Sequence, residues 1–173
     1  MLHGSAVAYD DGAAIFLAPK HTGKSTLALA LTLAGARLIS DDSLAVDPGA
    51  APTVAPGIQS MRLVRDAAAR LVGSLPSAPQ SDGKVLLTDL PEERLETGRV
   101  PVRAIYLLTA AESIAENRAA DRQPLPPPLA AAAIVGHGKI AEMLGSAEAP
   151  ELLRRAARLA SVVPVYRLAV VRD

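Results

Sequence analysis

The stretch Ala18-Pro19-Lys20-His21-Thr22-Gly23-Lys24-Ser25-Thr26 holds the residues of this chain best suited to chemistry. Ala18 to Ser25 fits the pattern G-x-x-x-x-G-K-[ST], with Ala in the first glycine position. In such a loop, backbone N–H groups and the start of a helix surround phosphate with positive potential. Gly23 permits close approach, Lys24 reaches the outer phosphates, and the Ser25 hydroxyl ligates Mg²⁺. Thr26 either assists or packs on the first helical turn, and His21 either donates to a phosphate or faces solvent.

A second candidate is the pair Asp41-Asp42, sixteen and seventeen residues after Ser25. Adjacent carboxylates at the end of an apolar strand are costly unless a cation lies nearby. In a doubly wound sheet, the intervening helix would return the chain so that this strand ends beside the loop. There the pair can hold Mg²⁺ and act as a base on an incoming hydroxyl. The plainer reading is that one of them caps a turn with Ser43. His3 reads by itself as a surface residue and His137, between Gly136 and Gly138, as a surface or capping one. Three scattered histidines do not make a metal site.

The elements that must position these groups can be read from the pattern. Ser5–Tyr9 and Ala13–Leu17 flank Asp10-Asp11-Gly12, a hairpin signal because the turn needs positive φ. The second strand is apolar throughout, as expected for burial on both faces. A helix from Lys24 to Ala34 is apolar nearly all round and stops at Gly35. Arg37–Ile39 is a strand, and Leu44–Val46 continues extended into the turn Asp47-Pro48-Gly49.

Ala50–Gly57 is Pro-rich, Ile58–Val64 reads as a strand, and Arg65–Val72 as a short helix. Gly73–Gly83 is expected to be a loop. Lys84–Leu87 and Ala104–Leu108 are strands, and Gln123–Pro128 a stiff extended spacer that is neither helix nor central strand. Helices follow near Leu129–Leu144 and Ala149–Ala160, and Val165–Val171 closes the chain as a strand. In the last helix Leu152, Leu153, Ala156, Leu159 and Ala160 form the apolar stripe, with Arg154, Arg155 and Arg158 on the solvated side.

Composition narrows the partners. The 173 residues suit one domain, 1–173, with a phosphate-binding core in 1–47. Half the residues are hydrophobic, enough to bury a core. There are no cysteines, which removes disulfides and thiolate zinc sites. Eighteen basic residues balance eighteen acidic ones, so no global field draws the chain to nucleic acid or an anionic membrane. No apolar run reaches the ~20 residues of a spanning helix, and no basic region precedes an apolar one at the N-terminus. A cytoplasmic protein is the expectation. Only four of the basic residues are lysines (Lys20, Lys24, Lys84 and Lys139), so each invites a question about its role.

His3-Gly4, the Asp-Gly hairpin, Gly23-Lys24-Ser25, Gly35, Arg37-Leu38 and Asp41-Asp42 together resemble the catalytic domain of HPr kinase/phosphorylase. Pro56-Gly57 with Met61-Arg62-Leu63, Asp82-Gly83-Lys84, and Val163-Pro164-Val165-Tyr166-Arg167-Leu168 look like later segments of the looser HPr-kinase-like group. The resemblance implies an α/β P-loop kinase fold of the HPr kinase and phosphoenolpyruvate carboxykinase type, with a mixed sheet and flanking helices. It implies ATP and Mg²⁺ as cofactors and a Ser of a protein or peptide as phosphoryl acceptor. Carried over, residues Ala18 to Thr26 bind nucleotide, with Lys84 a further contact. Asp41 takes the proton from the acceptor serine, Lys24 and His3 share the catalytic site, and Ser25 and Asp42 hold the metal. The sequence departs from the family at Ala18, Lys20, His21 and Thr26, and lacks its Gly-rich second signature. A homo-oligomer stays open, as do two other readings: a catalytically silent ATP-binding module, and a small-molecule kinase with Arg94, Arg99 and Arg103 in a lid.

Overall fold

The computed structural model describes residues 1–73, 77–79, 83–111, 121–138 and 149–171. The chain begins with the antiparallel hairpin β1 (Gly4–Tyr9) and β2 (Gly12–Leu17), paired from Gly4–Leu17 to Tyr9–Gly12. Helix α1 (Lys24–Leu33) follows, then β3 (Arg37–Ser40), β4 (Ala45–Asp47), β5 (Thr53–Ala55) and β6 (Met61–Val64). Next come α2 (Arg65–Val72), β7 (Ser77–Pro79), β8 (Lys84–Leu87) and a 3-10 turn at Glu92–Arg94. The long strand β9 (Val100–Ala111), β10 (Asp121–Pro124), α3 (Pro127–Gly136), α4 (Ala149–Val162) and β11 (Val165–Val171) complete the order.

Among the described residues the strands form two sheets. The larger has eight strands, with the path β10-β11-β9-β2-β1-β3 and with β4 and β5 attached through β9. Strands β2, β9 and β11 run parallel to one another, whereas β1 is antiparallel to both β2 and β3, and β10 is antiparallel to β11. The smaller sheet is β6-β8-β7. The architecture is mixed α/β with helices on both faces of a mixed sheet.

The all-apolar β2 is buried from both sides, as its sequence requires. Ile15 and Leu17 join a cluster with α3 and α4 (Ala130, Ile134, Leu159), while Phe16 faces Leu29 of α1 and Met61 and Leu87 of the smaller sheet. Truncating a fully buried Leu or Ile at such a position to Ala costs about 2–5 kcal/mol. Phe16, Tyr106 and Tyr166, on adjacent strands β2, β9 and β11, stack in a column with 5.6 Å between successive ring centres, and the Arg122 guanidinium covers Tyr166.

Several expectations need correction. The strand after α1 does not neighbour β2, because β1 lies between them; β3 is nonetheless parallel to β2, both being antiparallel to β1. The Pro-rich stretch contains β5, and the strand expected from Ile58 starts at Met61. The expected loop Gly73–Gly83 contains β7, paired with β8 at the sheet edge, where a proline removes no needed ladder bond. Strand β9 extends the expected Ala104–Leu108 at both ends.

The segment expected as a spacer is divided between two elements. Its first part, with Asp121 and Arg122, is the edge strand β10 paired with β11, and Pro127 and Pro128 open α3. Prolines are tolerated there because first-turn N–H groups lack helical partners in any case. Helix α3 ends at Gly136 rather than Leu144, and residues 139–148 lie outside the described ones. Helix α4 runs two residues beyond Ala160, and Leu153 is exposed while Ala156, Leu159 and Ala160 carry its buried stripe.

Candidate functional site

Strand β2 delivers the chain to the loop through buried Leu17 and Ala18. Two loop residues adopt left-handed backbone: His21 at φ 66° and Gly23 at φ 93°. Gly23 is the N-cap of α1, and no acidic side chain occupies the helix's first turn. The positive end of the helix dipole is therefore not neutralised by its own sequence. Pro19, Lys20, His21 and Gly23 are exposed, Thr22 and Lys24 buried, and Ser25 and Thr26 half-buried.

Lys24 folds back along the loop. Its ammonium donates to the carbonyls of Ala18 (2.8 Å) and Pro19 (3.1 Å). Burial lowers its pKa from the ordinary lysine value, opposed by the nearby charges of Asp41 and Asp42.

Asp41 lies just past the end of β3, and only 3% of it is exposed. One carboxylate oxygen, Oδ1, accepts from the hydroxyls of Ser25 (3.0 Å) and Ser5 (2.5 Å). Its backbone N–H donates to Ile58 O at 2.6 Å. Burial raises the Asp41 pKa above the usual carboxylate value, and the two hydroxyls limit the rise.

Asp42 turns the chain in the left-handed region, φ 69°, which Asp tolerates better than most residues. His3 Nδ1 lies 3.1 Å from Asp42 O and 3.2 Å from Asp42 Oδ1. Both are acceptors, so Nδ1 carries the proton. His3 Nε2 is buried without a hydrogen-bond partner among the described residues. The turn itself is tied by Ser40 Oγ donating to Ser43 O (2.7 Å), and Gly57 packs against it. A Cβ on Gly57 would sit 2.6 Å from Ser40 Oγ, so the residue after Pro56 has to be small for the two segments to meet.

The structure thus brings together Lys24, Ser25, Asp41, Asp42 and His3. It also adds Ser5 and His137, which the sequence reading did not assign to the site. Ser5 carries a recognisable signal: a polar side chain in an otherwise apolar strand, 0% exposed, needs a buried partner. His137 carries none, since it arrives from the C-terminal end of α3, where its carbonyl accepts the N–H of His3 at 2.7 Å. Burial lowers the His137 pKa, and the charges of Lys24 and His3 add to that.

Other residues lie elsewhere. Lys84 opens β8 opposite Val64 and shares the outward face of the smaller sheet with Arg62, while Met61, Leu63, Val85 and Leu87 form its buried face. That puts Lys84 on the face opposite the one packed against α1. Arg94 donates to Thr32 O (2.8 Å) near the far end of α1, about 12 Å along the helix from the loop. Arg103 donates to Asp11 O in the hairpin turn, and Arg99 precedes β9 at the same end. None of these three arginines is placed as a lid over the loop.

No protein-family model matches this chain, and no curated protein matches it. Among solved structures, the HPr(Ser) kinase/phosphatase from Coxiella burnetii is similar over 99% of this chain and 85% of that one. The identity is 11% and the TM-score 0.47. Function at this distance has to be argued from the site.

Among the described residues no group of three or more His, Asp or Glu converges to hold a metal ion. A single buried carboxylate beside a loop hydroxyl is the arrangement expected where Mg²⁺ is held mainly by substrate phosphates and water. No described helix is long and apolar enough to cross a membrane. Chemically, the site offers a helix N-terminus and an ammonium for an anion, and a carboxylate of raised basicity for a proton.

Proposed function

We propose that this chain is an HPr-kinase-like, ATP- and Mg²⁺-dependent kinase that transfers the γ-phosphoryl group to a serine hydroxyl of a protein or peptide. The observation that carries the reading is the junction of Ser25 and Asp41 at 3.0 Å beside the buried Lys24. The loop suits phosphate: a Cβ at Gly23 would meet nothing within 4 Å, so the space beside the helix start is open. Ser25 and Asp42 would hold Mg²⁺, which supplies charge neutralisation on the phosphates.

Lys24, held by the Ala18 and Pro19 carbonyls, is positioned to stabilise charge on the outer phosphates. Asp41 accepts the proton of the acceptor hydroxyl as that oxygen bonds to phosphorus and the bond to the ADP oxygen breaks. Its raised pKa suits it to that task better than an ordinary carboxylate. His3 fixes the Asp42 side of the turn through Nδ1.

One observation favours a second reading, an ATP-binding module without transfer. Both hydroxyls on Asp41 fall on the same oxygen, and the residue is nearly sealed from solvent, which restricts access for an acceptor. Labelled ATP, Mg²⁺ and serine peptides separate the two. The kinase reading expects label on serine with the wild type and loss of transfer with Asp41→Asn. Equal labelling by both proteins removes Asp41 from the chemistry. Tight ATP binding by both, with no acceptor labelled, favours the silent module.

A further inference from the structure

Ser5 is the second residue of β1 and stands opposite Phe16 of β2, while its neighbour Ala6 pairs with Ser40, the last residue of β3. Ser5 is therefore held in the sheet at the point where the chain leaves β3 for Asp41. The strand has little freedom there: a Cβ on the preceding Gly4 would lie 2.7 Å from Phe16 O and 2.9 Å from Leu17 Cδ2. Ser25, the other serine that donates to Asp41, sits in the first turn of α1, beside the loop that has to take up phosphate. Two hydroxyls hold one carboxylate, and of the two only Ser5 holds it from the sheet. Both bonds fall on Oδ1, so Oδ2 lies outside them.

We propose that Ser5 is a positioning residue of the transfer reaction: its hydroxyl locks the Asp41 carboxylate so that Oδ2 is the oxygen offered to the acceptor hydroxyl. The inference rests on the kinase reading above and deepens it by one residue. The terminal torsion of an aspartate is soft, so a donor from a second element removes a freedom that one serine leaves. Proton transfer requires hydrogen-bond reach, and a misplacement of about 1 Å costs rate steeply. The proton passes from the acceptor oxygen to Oδ2 as that oxygen bonds to phosphorus and the bond from phosphorus to the ADP oxygen breaks. Ser5 keeps its own proton on the bond to Oδ1 throughout. Being fully buried, it acts through Asp41 and not on the nucleotide or the acceptor.

The test measures kcat and KM for Mg-ATP in transfer to serine peptides by the full chain, with ATP sites counted by calorimetry so that unfolded protein does not enter the rates. Ser5→Ala is expected to lower kcat about tenfold, the scale of one hydrogen bond to a charged group, and to leave KM and calorimetric affinity for ATP within about twofold. Ser5→Thr keeps the hydroxyl and is expected to hold kcat within about threefold of wild type. A merely structural Ser5 would lower the number of ATP sites and leave kcat per site unchanged. Unchanged kcat per site in Ser5→Ala, or a loss of ATP affinity as large as the loss of kcat, overturns the inference. So does a Ser5→Thr variant that binds ATP fully yet transfers no faster than Ser5→Ala. If the wild type binds ATP and labels no serine, the kinase reading falls and takes this inference with it. If the wild type transfers, Asp41→Asn does not, and Ser5→Ala matches the wild type, the Ser5 assignment alone falls.

Discussion

Ser25, in the first turn of α1, and Asp41, beyond the end of β3, meet at 3.0 Å although sixteen residues separate them. They meet because β2 and β3 are parallel with β1 held between them, so both strands end on the same side of the sheet. The hairpin partner also supplies Ser5, the second hydroxyl on the same carboxylate oxygen. One strand therefore both spaces the two functional segments and ties them together.

That carboxylate sets a stability cost with a defined pH dependence. Its pKa is raised in the fold, chiefly by burial, so the native state binds a proton more readily than the unfolded chain. Stability contributed by this group falls as pH rises from about 4, the unfolded value, through the folded one. Asp41→Asn keeps an oxygen for both serines and removes the charge. We expect it to melt higher than wild type at neutral pH, by about 2–4 °C for each kcal/mol relieved, and to lose that advantage below about pH 4. Thermal melts across pH check this; a variant less stable at pH 7 would refute it.

Lys24→Met retains length and apolar bulk but loses the bonds to Ala18 O and Pro19 O. ATP affinity is expected to drop at least about tenfold, with the far-UV spectrum unchanged. Calorimetry gives the affinity directly, and wild-type affinity in this variant would show that the loop does not use its lysine.

Gly57→Ala places a methyl group 2.6 Å from Ser40 Oγ and 3.3 Å from Ser43 O. Because Ser40 ties the turn that carries Asp41 and Asp42, the substitution should disturb the site as well as the fold. Overpacking of this kind costs about 1–3 kcal/mol. A lower melting temperature together with reduced nucleotide binding is expected; a change in neither would mean that the two segments part without consequence.

Arg94→Ala removes a side-chain donor to Thr32 O in the last turn of α1, a carbonyl that also accepts the Gly35 N–H at 3.2 Å. A loss of about 0.5–1.5 kcal/mol in stability is expected, with ATP affinity unchanged. Denaturant unfolding and titration measure the two separately. Weakened ATP binding in this variant would revive a role for Arg94 over the phosphates.

The elements that were legible in the sequence are the ones encoded locally. The Asp-Gly turn, the all-apolar β2, the glycines bounding α1 and the helical face of α2 each act over a few residues. What was not legible depends on pairing across the chain. β7 and β10 are short, proline-containing edges that exist because β8 and β11 accept them. The insertion of β1 between β2 and β3 is a property of the whole sheet. In the site, the loop and the aspartate pair announced themselves by residue type, whereas His137 became visible only through its hydrogen bond to His3. Lys84 drew attention by the scarcity of lysine and by the resemblance, and sheet alternation puts it on the outward face of the smaller sheet.

The aromatic column has an optical consequence. With no Trp in the chain, ultraviolet absorbance near 280 nm and intrinsic emission come from three tyrosines, two of which, Tyr106 and Tyr166, are stacked across the central strands. The tyrosine spectrum is thus chiefly a gauge of strand packing and is largely blind to events at the loop. A single Trp introduced near Lys20, which is exposed, would stand on a nearly dark background and report nucleotide arrival by its own emission.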